Sequence, residues 1–88
     1  MVHPIRYTCP RELFPHIEAA LAANAYEVVA KAVLDDGDNV SLVMRSGAAE
    51  VLLVTSSERE RAEIEVWGPA QAMAVQLLKS LPYDLVHA

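Results

Sequence analysis

One cysteine and three histidines are the candidates for covalent or metal chemistry: Cys9, His3, His16 and His87. Cys9 sits in "YTCPRELFP", before Pro10 and three positions ahead of Glu12, where serine or aspartate would cap a helix. A thiol at that place would feel the positive end of the helix and ionise more readily. Thiol catalysis also needs an oriented base. His16 lies seven residues on, two turns along a continuous helix, and His3 comes near only if the amino-terminal segment folds back. Cys9 is therefore read as a small apolar side chain packed where the chain enters the helix. A metal could recruit His3, Cys9, His16 and His87, with or without Glu18, yet no compact pair such as C-x₂-C or H-x₃-H anchors them. No catalytic residue, metal site or cofactor is expected.

Paired carboxylates are the next candidate chemistry. Glu63 and Glu65 share one side of an alternating stretch, and a solvated strand face is the ordinary meaning of such alternation. "MRSGAAE", residues 44–50, is superficially similar to the Arg-x-Ser-Gly-Thr-Glu-Pro phosphate loop of sugar phosphomutases. It lacks the spacer after Arg45, the threonine and the proline. A hairpin turn using the conformational freedom of Gly47 accounts for it. No dinucleotide fingerprint, phosphate loop or nucleophile elbow is present.

Hydrophobic spacing sets the elements that carry these residues. Leu13, Phe14, Ile17, Ala20 and Leu21 recur at helical intervals, and Asn24 suits a left-handed helix end. Pro15 requires either that regular helix begin near Glu12 or that a short turn at 10–13 precede it. From Tyr26 the period becomes two. Tyr26, Val28, Ala30, Ala32 and Leu34 alternate with Glu27, Val29, Lys31 and Val33, and "DDGDN" then turns the chain. Val40, Leu42 and Met44 make a second strand, "VLLVTS" a third and "AEIEVW" a fourth, with "SERER" a charged tip. Gly68 and Pro69 are expected to start a second helix with the apolar stripe Ala70, Met73, Ala74, Leu77, Leu78 and Leu81, stopped by Pro82. The end segments "VHPIRYT" and "PYDLVHA" are candidates to join the sheet.

The expectation is one α+β domain spanning 1–88: a two-layer sandwich in which two helices cover one face of a four-stranded antiparallel meander. Its element order is (β)-α-β-β-β-β-α. That order is similar to the one in each half of the TATA-box-binding protein, a resemblance that implies a topology and no function.

The whole chain narrows the partners. With 53% hydrophobic and 22% charged residues, 88 residues can enclose a core. A formal charge of −5 disfavours a nucleic acid partner, whose phosphates are bound by lysines and arginines. A single cysteine excludes an intrachain disulfide, no signal peptide is evident, and no apolar run nears the roughly 20 residues of a membrane helix. A cytoplasmic protein without membrane contact is expected.

The informative feature is the sheet face turned away from the helices. With Tyr26, Val28, Leu34, Leu42, Met44, Ile64 and Val66 facing the helices, the other face carries Val29, Val33, Val43 and Trp67. The third strand adds either Leu52 and Val54 or Val51 and Leu53. An open face is ordinarily more polar, and apolar patches of that kind mark partner sites, with tryptophan a frequent anchor. The sequence thus points to a non-enzymatic binding or regulatory module that forms a homo-oligomer, a dimer in the simplest case, or meets another protein. The alternatives are a small-ligand carrier with a pocket between helices and sheet, and a Cys9-dependent enzyme.

Overall fold

The computed structural model describes residues 3–34, 39–55 and 60–87. Strand β1 (Ile5–Pro10) leads through a 3₁₀ turn (Arg11–Leu13) into helix α1 (Phe14–Ala23). Four strands follow, β2 (Glu27–Leu34), β3 (Asn39–Ser46), β4 (Ala49–Thr55) and β5 (Arg61–Trp67), then helix α2 (Gln71–Ser80) and the two-residue strand β6 (Val86–His87). The sheet has six strands in the order β2-β3-β4-β5-β1-β6, every neighbouring pair antiparallel.

Six strands replace the expected four because both terminal segments pair. β1 aligns with β5 from Ile5 opposite Val66 to Pro10 opposite Arg61, and β6 aligns Tyr7 with His87 and Thr8 with Val86. The helix entry is correspondingly later than Cys9. Arg11–Leu13 form the short turn, with Pro10 before it at the end of β1, and Pro15 falls in the first turn of α1, where its missing N–H has no intrahelical partner. The second helix is later too. Gly68 takes φ +97° and α2 begins only after Ala70, so Pro69 precedes the helix rather than opening it.

The core forms on one face. Tyr7, Cys9, Leu42, Met44, Val51, Leu53, Ala62, Ile64 and Val66 from the strands join Ile17 and Leu21 of α1 and Ala74 and Leu78 of α2 in one buried cluster. α2 packs on β4 and β5. Met73, placed by spacing on the apolar stripe, is 71% exposed, and Val75 takes the inner position beside Ala74.

Two turns depend on backbone geometry. α1 ends in a Schellman arrangement: the Tyr26 N–H donates to the Leu21 carbonyl at 3.0 Å and the Ala25 N–H to that of Ala22 at 3.3 Å. The left-handed residue is Ala25, φ +67°, rather than Asn24, whose Nδ2 instead donates to the Ala20 carbonyl at 2.8 Å. The buried Tyr26 then follows Leu21 into the core. Residues 35–38 and 56–59, which hold most of "DDGDN" and the start of the charged tip, lie outside the described residues. The β3–β4 hairpin closes through Gly47-Ala48, with Gly47 at φ +59°. At Gly68 a Cβ would stand 2.2 Å from the Ala48 carbonyl oxygen, a backbone atom that cannot swing aside.

These two sites predict opposite responses. Ala25→Gly should raise unfolding free energy by about 0.5–1 kcal/mol, since glycine takes positive φ without a Cβ penalty. Gly68→Ala should lower it by at least about 1–3 kcal/mol, from positive φ alone, before the clash is added. Chemical denaturation of both variants checks the pair. A stable Gly68→Ala protein would mean that the Ala48–Gly68 approach is not as described.

Candidate functional site

The residues suited to chemistry are dispersed. Cys9 lies within β1, opposite Ala62 and fully buried, rather than at a helix cap. Burial pushes its thiol above the ordinary 9.0, the Arg61 charge opposes this and Glu12 adds to it; burial dominates. His87 places its ring edge-on to Tyr7 with centroids 5.4 Å apart, and the His16 ring is tilted against Tyr83 at 6.0 Å. His3 is exposed, its carbonyl accepting from Gln71 Nε2, which also donates to the Val66 carbonyl; both distances are 3.1 Å. Among the described residues no three His, Cys, Asp or Glu side chains gather where they could hold a metal ion. Glu65 is engaged as an acceptor: Arg6 Nε lies 2.8 Å from Oε1, and the Trp67 indole N–H donates to Oε2 at 3.3 Å.

The strand registers resolve the open face into rows. One row runs Glu27, Arg45, Glu50, Trp67, with an Arg45–Glu50 ion pair inside it. The next runs Ala30, Val43, Leu52, Glu65, Arg6, and the third Ala32, Ser41, Val54, Glu63, Thr8, Val86. β4 thus contributes Leu52 and Val54 to this face, while Val51 and Leu53 go to the core. Past the Glu27, Arg45, Glu50 row the face is mostly apolar over β2, β3 and β4, and it is charged over β5 and β1.

The four residues read from the sequence as one patch are parted by a bulge. Register along β2 shifts between Val28 and Ala30, leaving Val29 as the extra residue. Beyond it, Val33 pairs with Val40 on the helix side, while Leu34, expected to face the helices, pairs with Asn39 on the open side. A bulge reverses the parity of everything after it, and alternation in the sequence cannot show one. Val43 remains in the apolar half. Trp67 lies in the charged row, tied to Glu65.

The two sheet edges differ. β6 is two residues long. β2 is eight residues long and exposed at every position, with Val28, Val29, Val33 and Leu34 between 47% and 64% exposed. Its only charges are Glu27 and Lys31. Natural edges are usually kept short, charged or covered, and β2 has only its bulge and those two charges. At the β6 edge, a cleft of about 330 Å³ opens between the end of α2 and the last residues, lined by Tyr7, Leu78, Lys79, Tyr83, Asp84, Leu85 and His87. The sequence signal for it was the alternation of Tyr83, Leu85 and His87, weak because β6 is so short. No helix among the described residues is long and apolar enough to cross a membrane. No family model, curated protein or solved structure matches the chain.

The thiol supplies a pH prediction. Because folding raises the Cys9 pKa, the folded state holds its proton more tightly. That stabilisation is complete below about pH 9 and is lost as pH rises through the raised value. Tyr26, raised from 10.0 by burial, adds a loss of the same sign at higher pH. Unfolding free energy of the wild type should fall on passing pH 9, and Cys9→Ala should remove the first part of that fall. Rapid modification of native Cys9 by a thiol reagent at neutral pH would contradict its burial.

Proposed function

We propose that this protein is a small non-enzymatic binding or regulatory module that self-associates, most simply as a twofold dimer. The interface is the apolar half of the open sheet face, centred on edge strand β2. The observation that carries this reading is β2 itself, a strand of mostly apolar side chains exposed along its full length at an uncovered sheet edge. On the open face β2 contributes Ala30, Ala32 and Leu34, and Val43, Leu52 and Val54 of β3 and β4 adjoin them. A twofold partner would bring the same strip against itself and take both copies of β2 out of water. The charged row Glu27, Arg45, Glu50 would rim the contact, and Trp67 would lie at the edge of that rim. A TATA-box-binding-protein-like topology belongs to the same proposal as a likeness of element order alone; the charge of −5 does not favour phosphate contacts.

Light scattering with circular dichroism tests it on three variants. An unpaired charge in a desolvated patch costs several kcal/mol, so Leu34→Glu and Val43→Glu should each remain folded and fall to monomer mass. Leu42→Glu, directed into the core from the next position on β3, should unfold. Folded Leu34→Glu and Val43→Glu proteins with the same mass as wild type would sink the interface.

A further inference from the structure

The cleft at the β6 edge carries an inference independent of self-association, which is centred on the opposite edge of the sheet. Its floor is apolar: Leu78 and Tyr7 are buried, and Leu85 is partly buried beside them. Its walls hold flat rings fixed from behind. Tyr83 is backed by His16 of α1, and His87 stands edge-on to Tyr7. The backbone bond from the Leu85 N–H to the Tyr83 carbonyl, 3.1 Å, folds the wall tightly between them. A volume of about 330 Å³ falls within the range of small-molecule sites, roughly 300–1,000 Å³.

Two opposite charges line this cleft without engaging each other. Among the described residues, Lys79 and Asp84 form no ion pair with each other or with another group. Lys79 has a local reason to be present, since it lies in the last turn of α2, where the free carbonyls favour a cation. Asp84 has none, because the same carbonyl end does not favour an anion. An ammonium and a carboxylate held apart over an apolar, aromatic floor match a molecule that carries both charges next to an apolar body.

We propose that the cleft between the end of α2 and β6 binds a small zwitterion with an apolar side chain, of the chemical class of an apolar α-amino acid. The ligand carboxylate meets the Lys79 ammonium, its amino group meets Asp84, and its side chain lies among Tyr7, Tyr83 and Leu85. Both charges of the ligand are needed.

The test is a titration of the ¹⁵N-labelled protein followed by backbone amide shifts, with three probes. L-phenylalanine should produce saturable shifts confined to residues around Tyr7, Leu78, Lys79 and 83–87. L-phenylalanine amide, lacking the carboxylate, and N-acetyl-L-phenylalanine, lacking the ammonium, should each bind about tenfold or more weakly. Lys79→Met and Asp84→Asn, both exposed positions, should leave the spectrum folded and weaken L-phenylalanine by a similar factor. Lys79→Met should also abolish the difference between L-phenylalanine and its amide. Absence of saturable shifts with L-phenylalanine overturns the proposal. So does equal binding of the three probes, or undiminished binding to the variants.

Discussion

Two α-helices, each about 10 Å across, span about 20 Å side by side, while six strands spaced about 4.8 Å apart span about 24 Å between the outer axes alone. The uncovered outer strands of the sheet follow from that mismatch of layers. The helices can cover roughly four strands, and the core shows which: the buried strand residues come from β1, β3, β4 and β5. β2 and β6 are left over. The crossover through α1 carries the chain from the fifth position in the sheet to the first, so β2 lies at the rim, away from its predecessor.

The two leftover edges are treated differently, and that asymmetry links sequence to proposed function. β6 is trimmed to two residues and combines with the end of α2 to enclose a cleft. β2 keeps eight residues and a run of valine, alanine and leucine, a composition suited to burial on both sides, while the fold covers neither. Hydrophobic burial contributes about 25 cal/mol per Å², so a strand of this kind exposed on both faces forgoes stabilisation that a partner can supply. The bulge at Val29 limits open-ended edge pairing, because it breaks the regular spacing a growing sheet requires. What remains is a finite apolar surface at Ala30, Ala32, Leu34, Val43, Leu52 and Val54, bordered by the ion pairs Arg45–Glu50 and Arg6–Glu65.

Much of this was legible in residue order. The alternation of Leu42, Met44, Ile64 and Val66 identified the inner face, and Ile17, Leu21, Ala74 and Leu78 the helical contacts. β4, apolar on both sides, left open whether Val51 and Leu53 or Leu52 and Val54 turn inward until the register placed Val51 and Leu53 in the core. Gly47 marked its turn. The features that escaped each have a physical cause. The start of β1 was a candidate sheet segment, but its last residues were misread because Cys9-Pro10 has the look of a helix entrance, although a proline at a strand end is equally permitted. The parity of Val33 and Leu34 was lost at a bulge that no residue type announces. Ala25 took the left-handed position that Asn24 would suit, because the Schellman bonds and the burial of Tyr26 outweigh the local preference of alanine. The cleft depends on segments more than 70 residues apart, Tyr7 and Tyr83–His87, which only the sheet brings together.

The central claim is that β2 and the apolar half of the open face are removed from water by a second copy. Solvent exposure of the methyl groups of Val28, Val33, Leu34 and Val43, measured by relaxation from a soluble paramagnetic agent across a dilution series, tests this directly. The account predicts that the methyls on the open face, Leu34 and Val43, are shielded at high concentration and become exposed together as the protein is diluted. Methyls fully accessible at every concentration, with a mass that stays that of one chain, would contradict it.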